Sequence, residues 1–537
     1  MGQRAPSVSN WRAHSGKGLC VIQMVDIRLA PEQAGDVELC RQAVARALTL
    51  SPARITELRL RKRSLDARQR QIALQLRYEV WVDETAQPEP PLLPALPAVH
   101  AAPRVLVIGS GPAGLFAALS LIEAGLRPVV LERGKDVRAR RADLAAIQRR
   151  GEVHPDSNYC FGEGGAGTYS DGKLYTRATK RGDVHQVLCT LVAHGAPAEI
   201  LVDAHPHIGS NRLPAVVRAM RERVLERGGE IRFGSRVTAL LRDAGGATAG
   251  VRLESGEELD CPAVILATGH SARDVFQLLA AAGVRLEAKA FALGVRIEHS
   301  QALINRLQYG DRASDERLPA ASYRLATTVE GRGVFSFCMC PGGFIVPAAT
   351  APGELVLNGM SLARRDSPFA NSGLVVAVEP EDLPGDDPCR GLEFQSRVEV
   401  AAWQAGGGTQ CAPAQRARDF VAGKVSRALP ATSYHPGATS VPLETVLPES
   451  IARRLRHALQ DFERQRPGYL AEDALLLATE SRTSSPVRIP RDPASLAHPD
   501  VPGLYPCGEG AGYAGGIVSA AIDGNKVARA VAAFMGR

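Results

Sequence analysis

The segment Arg104-Val-Leu-Val-Ile-Gly109-Ser-Gly111-Pro-Ala-Gly114-Leu carries an apolar strand into three glycines and then into a helical pattern. Gly109 permits a tight turn after the strand, and Gly111 lets the backbone approach a pyrophosphate. Gly114 allows the helix to pack closely against the strand, and the amino end of that helix faces the phosphate charge. The spacing therefore predicts a dinucleotide-binding turn.

A second apolar strand, Pro128-Val-Val-Leu131, ends in Glu132. A carboxylate at the end of this strand lies where it can accept hydrogen bonds from the ribose hydroxyls of a dinucleotide. We expect the adjoining Arg133, and Pro112 and Ala113 at the start of the preceding helix, to belong to the same site.

Two further segments also carry an apolar strand into a turn of small residues. The first is Ala263-Val-Ile-Leu-Ala-Thr268-Gly269-His270. The second begins Leu504-Tyr-Pro-Cys-Gly508-Glu509 and continues through Gly515 and Gly516 into the helix that closes the chain. Because the amino end of a helix stabilises negative charge, this last turn predicts another contact with an anionic part of the cofactor.

A fourth glycine-rich stretch reads Asn158-Tyr-Cys-Phe-Gly162-Glu-Gly164-Gly165-Ala-Gly167-Thr-Tyr-Ser170. Its closely spaced glycines permit close approach of the backbone to a ligand, and their exposed amides can form an anion-binding nest. We expect Gly164, Gly165, Gly167 and Ser170 to contact the cofactor.

The strand at Leu504 and the glycines after it resemble the FAD-binding fold of glutathione-reductase-like flavoproteins. The resemblance implies that Glu509 bonds the ribityl or pyrophosphate region of FAD. It also implies that backbone amides near Gly515, Gly516 and Ile517 face N1 and O2 of the flavin, an edge that is negative in the reduced cofactor.

The chain also resembles a bacterial family of uncharacterised FAD-dependent dehydrogenases, from Met24 almost to its end. The motifs that carry this resemblance are Gly162 to Leu174, Ala267 to Asp274, Cys338 to Gly343, Arg482 to Ile489 and Gly508 to Gly516. The resemblance implies one FAD per chain and does not indicate a substrate.

These motifs together predict a set of cofactor-binding residues. They are Gly109, Gly111, Pro112, Ala113, Gly114, Glu132, Arg133, Gly164, Gly165, Gly167, Ser170, Val237, Thr268, Gly269, Gly508, Glu509, Gly515, Gly516 and Ile517.

Two features restrict the redox partners. Disulfide reductases of this superfold carry a cysteine pair near the fourth turn, where this chain has Thr168, Ser170 and Asp171. That thiol–disulfide mechanism is therefore excluded. Since the sequence shows no second Rossmann domain, NADH or NADPH would have to bind transiently, or electrons would come from another donor.

Three residues are candidates for catalysis beside the flavin: Lys173, His270 and Cys340. Lys173 and His270 can supply protons, or can be structural hydrogen-bonding residues. Cys338-Met-Cys340 lies on a strand-like run whose i, i+2 spacing places both thiols on one face. Such thiols are redox-active, bind a metal, or are buried structural cysteines, which is the commoner case. We predict no metal site.

The region from Arg41 to Tyr78 is strongly basic. Its cations are Arg41, Arg46, Arg54, Arg59, Arg61, Lys62, Arg63, Arg68, Arg70 and Arg77, against the acids Glu57 and Asp66. Such a cluster can meet RNA or another polyanion. A solvated strand face is the favoured explanation, because no aromatic residues alternate with the arginines to stack bases. Nucleic acid is therefore not the expected partner.

Composition bounds the class of protein. The chain has 537 residues, 45% hydrophobic and 23% charged, with a net charge of +7. This length predicts two or three domains of an ordinary globular protein, and no apolar run is long enough for a membrane span. The 10 cysteines form no CxxC pair, which favours a reducing cytoplasm.

We predict an α/β fold in which a Rossmann-like, glutathione-reductase-like FAD-binding domain is interrupted by an α+β substrate domain and preceded by a small α+β domain. The predicted units are a disordered extension (1–23), a basic α+β domain (24–87), a proline-rich linker (88–102), the FAD-binding domain (103–275 plus 481–537) and the substrate domain (276–480).

The predicted function is transfer of a hydride between bound FAD and an unidentified small molecule. The alternative is an RNA-linked flavoenzyme, or a flavin-dependent binding protein, that uses the basic domain. An FAD-bound scaffold with little turnover is a third possibility.

Overall fold

The computed structural model describes residues 8–14, 19–68, 71–176 and 182–537. The helices are α1 Val37–Leu48, α2 Pro112–Glu123, α3 Arg140–Arg150, α4 Val184–Ala193, α5 Leu213–Glu226, α6 Arg273–Ala281, α7 Gln301–Tyr309, α8 Arg390–Ala405, α9 Ala417–Ala422, α10 Glu449–Gln465 and α11 Ile517–Phe534.

The strands in the first half of the chain are β1 Val8–His14, β2 Leu19–Leu29, β3 Ile55–Asp66, β4 Ala73–Val82, β5 Arg104–Ile108, β6 Arg127–Leu131, β7 Glu230–Arg232, β8 Val237–Arg242, β9 Thr248–Leu253, β10 Glu258–Asp260 and β11 Val264–Leu266. The strands in the second half are β12 Glu287–Ala288, β13 Phe291–Ser300, β14 Ala326–Val329, β15 Arg332–Cys340, β16 Gly343–Pro347, β17 Leu357–Ser361, β18 Phe369–Val378, β19 Ala412–Arg416, β20 Ala438–Ser440, β21 Leu475–Glu480, β22 Val487–Arg488 and β23 Leu504–Pro506.

A five-stranded parallel sheet holds the turns that the sequence singled out, in the order β23-β11-β5-β6-β7. Its central strands are continuous apolar runs because helices and loops cover both faces of a parallel sheet. Helix α2 packs against α11, so the two ends of the domain meet. The carboxyl ends of β5, β11 and β23 therefore lie at one edge of the sheet, where ligands of such folds bind.

A seven-stranded sheet forms the second large unit, in the order β14-β15-β18-β13-β21-β19-β20. Its pairs are antiparallel except for β19 and β20, which run parallel. Helix α10 buries its apolar face, which includes Leu455, Leu459 and Phe462, in the core of this unit. Strands β15 and β21 contribute side chains to the cavity described below.

The first unit is a four-stranded sheet, β1-β2-β4-β3, with α1 packed against it. Residues 8–14 and 19–23, expected to be disordered, instead belong to strands β1 and β2, which pair from Val8 opposite Val25 to His14 opposite Leu19. The physical reason is that β1 supplies hydrogen-bond partners to the open edge of β2. The remaining residues of the predicted extension lie outside the described ranges.

This small sheet docks on the body of the protein. The Arg63 amide donates to the Val202 carbonyl, and the Arg63 guanidinium lies 2.8 Å from the Asp203 carboxylate. Ile72 is buried in the same core cluster as the seven-stranded sheet. The unit is therefore held by backbone pairing and by apolar contact.

Candidate functional site

Three glycine-rich turns converge at the edge of the parallel sheet. A β-carbon added to Gly165 would lie 3.2 Å from the Gly111 α-carbon. One added to Gly167 would lie 3.3 Å from the Ile517 side chain and 3.4 Å from Pro112. The turn after β5, the turn before Ser170 and the amino end of α11 thus approach one another, although they are far apart in sequence.

Each of the three positions in the first turn requires glycine for a different steric reason. Gly109 has a φ of +101°, and a β-carbon there would lie 2.5 Å from the Ala267 carbonyl oxygen. At Gly114 the corresponding distance to the Gly109 oxygen is 1.9 Å, so α2 packs directly on the turn. Gly111 differs because a β-carbon there meets nothing within 4 Å. Its α-carbon faces open space, as close approach of a pyrophosphate requires.

These turns enclose a cavity of about 410 Å³, which we call the turn cavity. Most of the predicted residues line it: Gly109, Gly111, Pro112, Ala113, Glu132, Arg133, Gly165, Gly167, Ser170, Lys173, Val237, Thr268, Gly269, His270, Glu509, Gly515, Gly516 and Ile517.

The other predicted residues lie outside the lining of this cavity. Gly114, Gly164 and Gly508 are packing positions, where a β-carbon would come within 3 Å of a neighbouring atom. Cys340 is fully buried, and Cys338 lines the cavity instead.

Glu132 organises the loops of the cavity with its buried carboxylate. One oxygen accepts hydrogen bonds from the amides of Gly134 (2.9 Å) and Gly162 (3.0 Å). The other oxygen accepts from the amide and the hydroxyl of Ser110, at 3.0 and 2.7 Å. Four protein donors therefore surround the carboxylate, and a ribose hydroxyl would have to share it with them.

Arg140 holds the fourth glycine turn from behind. Its side chain is completely buried and donates to the carbonyls of Asn158, Glu163 and Gly165. Burial lowers the pKa of this guanidinium. A cation fixed by backbone carbonyls under a glycine turn adds positive potential at that turn.

Arg133 is committed to protein contacts. Its guanidinium lies 2.6 Å from Asp156 and 2.9 Å from Asp274, and it stacks 4.3 Å from the Phe161 ring centre. The residue thus borders the turn cavity while its charge is already paired.

Glu509 and His270 form a pair at the amino end of α11. The Nδ1 atom of His270 lies 3.1 Å from Glu509, and its Nε2 atom lies 3.1 Å from the Arg482 carbonyl. The other Glu509 oxygen accepts from the Gly516 amide. Burial raises the pKa of Glu509, but the hydrogen bond and charge of His270, together with the Gly516 amide and the charge of Lys289, outweigh it and lower the pKa. Both nitrogens of His270 therefore have protein partners.

A buried network of two arginines and two acids supports the same end of the cavity. Arg482 lies 2.8 Å from Glu354 and 2.9 Å from Glu399, and Arg273 reaches the same two acids. Burial raises the pKa of Glu399, but the two guanidinium groups outweigh it and lower the pKa to about 2. The four charges balance, so this network positions Arg482 at the cavity wall.

Strand β15 brings two cysteines to one lysine. The Nζ atom of Lys173 lies 3.6 Å from the Cys338 sulfur and 3.5 Å from the Cys340 sulfur. Strand β15 has a bulge between Phe337 and Cys340, and Cys338 has a φ of +46°. Both thiols therefore reach the lysine. The i, i+2 pattern assumed a regular strand, but the strand is irregular at this point.

The electrostatics divide the two cysteines. The pKa of Cys338 is held well below its usual range by a hydrogen bond with Cys340, and the charges of Lys173 and Arg296 reinforce this against the effect of burial. The same hydrogen bond and burial raise the pKa of Cys340. Burial lowers the pKa of Lys173, but the two sulfurs and Asp171 outweigh it and raise the pKa. The surroundings of Cys338 therefore favour its thiolate form beside the Lys173 ammonium group.

Three further ion pairs adjoin this group. Asp171 lies 3.3 Å from Lys173 and 2.6 Å from Arg365. Glu480, at the end of β21, lines the turn cavity and lies 2.6 Å from the fully buried Arg296. Burial raises the pKa of Glu480 to about 7, although Arg296 opposes the shift.

A second cavity of about 680 Å³, which we call the side cavity, opens beside the first. Lys173, Tyr175, Cys338 and Gly515 line both cavities. The lining of the side cavity also includes Arg324 and Arg365 and has no aspartate or glutamate among the described residues.

The sequence pattern indicated Cys338 only as the neighbour of the candidate Cys340, and it did not indicate Glu480, Arg140 or the Asp171–Arg365 pair. Glu480 had a visible signal, because it ends the apolar run that begins at Leu475. Arg140 sits in a polar helix with nothing local to mark it, and its partners are 18 to 25 residues away.

The family comparisons agree with this geometry. An FAD binding domain matches residues 104–146, an FAD dependent oxidoreductase matches 206–354, and a family described as FAD-dependent protein, C-terminal domain-like, matches 290–483. A domain of unknown function matches residues 21–81. The protein is therefore an FAD-binding flavoprotein of mixed α/β structure, and the prediction of FAD as its cofactor is confirmed.

An uncharacterized protein of Clostridium beijerinckii is 46% identical over 433 residues, which cover 79% of this chain and 80% of that protein. The chain belongs to the same family of FAD-dependent proteins.

Solved structures give a weaker likeness. A flavoprotein/dehydrogenase from Cytophaga hutchinsonii is 12% identical with a TM-score of 0.37, over 81% of this chain and 79% of that chain. CtdE in complex with FAD is 13% identical with a TM-score of 0.31, over 80% of this chain and 84% of that chain. Likenesses of this size carry no inference about activity.

The described residues lack a membrane-spanning helix and a metal-binding cluster. In that part of the chain, no helix combines the length and the apolar character of a membrane span. The same residues contain no group of three His, Cys, Asp or Glu side chains that could hold a metal ion.

Proposed function

We propose that this flavoprotein is an oxidoreductase that transfers a hydride between FAD in the turn cavity and a small molecule in the side cavity. This proposal rests on the common wall of the two cavities, which is formed by Lys173, Tyr175, Cys338 and Gly515. A substrate in the side cavity would lie next to the part of the turn cavity that the amino end of α11 borders.

The residues of the turn cavity fit the cofactor. The open face of Gly111 leaves room for a pyrophosphate, and four protein donors hold the Glu132 carboxylate in place. Bound FAD would supply the two-electron redox chemistry, and the protein would supply position and electrostatics. The amino end of α11 would stabilise negative charge at the adjacent edge of the cofactor.

The side cavity favours an anionic small molecule. Lys173, Arg324 and Arg365 line it, and no acid does so among the described residues. Asp171 already neutralises part of this charge, since it pairs with both Lys173 and Arg365. A substrate carboxylate would restore the balance without the burial of an unpaired charge.

The candidates for proton transfer can be ranked by their contacts. Lys173 has a raised pKa, so its Nζ atom would hold its proton and stabilise an anion. Both ring nitrogens of His270 already meet protein acceptors. Glu480 has a pKa raised to about 7, which suits a group that takes up and releases a proton near neutral pH. We therefore assign proton exchange to the Glu480 carboxyl and charge stabilisation to Lys173.

Anaerobic reduction of the purified protein tests this function. The protein should be yellow, and NADH, NADPH or small carboxylic acids should be screened for bleaching of the flavin absorbance. Bleaching by one of them, at a rate that Glu480→Gln lowers at least about tenfold, is the expected result. The contrary result is a bound flavin that dithionite bleaches but that no compound of the screen bleaches. This result would contradict a nicotinamide or a small carboxylic acid as the electron donor.

A further inference from the structure

The group at Lys173 contains two sulfurs that the proposed hydride transfer does not need. Cys338 and Cys340 contact the same ammonium group, at 3.6 and 3.5 Å, and the Cys340 thiol donates a hydrogen bond to the Cys338 carbonyl at 3.3 Å. The bulge in β15 brings them together, with Cys338 in a left-handed backbone conformation that a cysteine rarely adopts. Strained backbone of this kind concentrates at functional sites.

The position of the pair points to electron exchange. Cys338 lines both the turn cavity and the side cavity, whereas Cys340 lies directly behind it and is fully buried. A purely structural pair would gain nothing from a thiolate, because an ionised sulfur is costly to bury without a counterion. Here Lys173 supplies that counterion.

We propose that Cys338 and Cys340 form a redox-active dithiol that exchanges two electrons with the bound flavin. This inference rests on the proposed function, since it requires FAD in the turn cavity. In the oxidising direction the Cys338 thiolate and the Cys340 thiol lose two electrons and one proton, and an S–S bond forms between them. Bound FAD would accept the two electrons and the one proton that the sulfurs lose, so atoms and charge balance.

This dithiol differs in place from that of the disulfide reductases of the superfold. Their cysteine pair lies near the glycine turn where this chain has Thr168 and Ser170, whereas Cys338 and Cys340 come from the seven-stranded sheet. The exclusion of that mechanism therefore does not extend to this pair.

Anaerobic titration of the holoprotein with dithionite tests the proposal. The wild type should consume about four electrons per FAD, since flavin and disulfide each take two. Cys338→Ser and Cys340→Ser should each consume about two. The matched control is Cys389→Ser, which should keep the wild-type value, because serine is a good residue at the helix N-cap that Cys389 occupies.

Peptide mapping provides a readout that needs no variant. The oxidised holoprotein, alkylated under denaturing conditions, should show Cys338 and Cys340 joined by a disulfide and unmodified by the reagent. The reduced holoprotein should carry the label on both. Protein that is first reduced, then stripped of FAD and kept without oxygen, should retain both thiols, because the electron acceptor is missing.

Two results would overturn the dithiol. One is a wild-type titration of about two electrons per FAD. The other is free Cys338 and Cys340 thiols in the oxidised holoprotein. In both cases a flavin that still accepts two electrons would leave the proposed function standing, whereas a protein without FAD would contradict the proposed function itself.

Discussion

The turn cavity has two walls that are built in different ways. The parallel sheet presents glycine turns, in which the backbone approaches the cavity and side chains are missing. The seven-stranded sheet presents charged and sulfur-bearing side chains from β15 and β21, among them Cys338 and Glu480. The first wall is suited to hold a cofactor of fixed shape, and the second to act on whatever lies against it. Binding and chemistry should therefore be separable by mutation.

The largest effect is expected at the glycine wall. Gly111→Glu places a carboxylate where a pyrophosphate would lie, while the protein itself leaves open space at that β-carbon. FAD affinity should fall at least about 100-fold, because two negative charges would be forced together away from water. The measurement is FAD content after gel filtration and titration of the apoprotein with FAD.

Gly35→Glu is the matched control for this change. Gly35 is exposed, and a β-carbon there also meets nothing within 4 Å. The Gly35→Glu variant should bind FAD like the wild type. Without cofactor, both variants should unfold at the same temperature as the wild-type apoprotein. Retention of FAD by Gly111→Glu would show that the turn cavity does not hold the pyrophosphate.

The next largest effect is expected on the stability of the glycine wall, which depends on Glu132. In Glu132→Gln the amide group would point at donors, so two of the four donors on this side chain would lose their acceptor. The free energy of unfolding should fall by about 3 kcal/mol, the order of cost for unsatisfied buried groups. Urea denaturation measures it, and Glu123→Gln, at an exposed position of α2, is the control. An unchanged midpoint would mean that Glu132 does not organise these loops.

The side-chain wall makes a prediction about pH. Because the pKa of Cys338 lies well below its usual range, alkylation of Cys338 should already be at its plateau at pH 8 and fall only at lower pH. Lys173→Met removes the neighbouring positive charge, so the pKa and the midpoint of the rate profile should rise by about one unit or more. Iodoacetamide labelling of the reduced protein without oxygen, followed by mass spectrometry, gives the profile.

Lys526→Met is the control for this profile, because Lys526 is exposed and does not line the two cavities. Its midpoint should match the wild type. A midpoint for Lys173→Met that equals the wild-type value would assign the low pKa of Cys338 to Cys340 and Arg296 alone.

The two walls also differ in how far sequence reasoning reaches them. A turn such as Gly109 to Gly114 is encoded by neighbouring residues, so its conformation and its place after a strand could be predicted. The Lys173–Cys338 contact joins residues 165 positions apart, and a bulge decides which cysteine faces the cavity. The sequence pattern pointed to Cys340, but the positive φ of Cys338 could not be read from a regular strand.

Glu132 and Glu509 show a second limit. Their positions at strand ends were predicted, and both border the turn cavity. Their partners were not predicted, because the donors on Glu132 include the amide of Gly162, 30 residues away, and His270 reaches Glu509 from another turn. A carboxylate that the pattern assigned to the cofactor thus also has a structural task.

The smallest effect is expected from substitution of arginines in the basic N-terminal sheet. Its arginines looked unbalanced in sequence, but acids from outside that segment pair with them in the fold. The pairs are Arg54 with Asp83, Arg61 with Glu79 and Glu89, Arg63 with Asp203, and Arg77 with Asp26, beside the local pairs of Arg59 with Glu57 and Arg68 with Asp66. Arg70 lies outside the described residues.

The double variant Arg61→Gln/Arg77→Gln tests whether this face binds RNA. Both arginines are partly exposed and already paired, so the free energy of unfolding should change by less than about 1 kcal/mol per pair. Binding of a fluorescent single-stranded RNA, measured by anisotropy at low and at physiological salt, should be weak for the wild type and unchanged in the variant. Tight binding that the variant loses, with a reduced salt dependence, would favour the RNA-linked alternative, because released counterions report phosphate contacts. The charge of this sheet would then serve a partner, and not only its own acids.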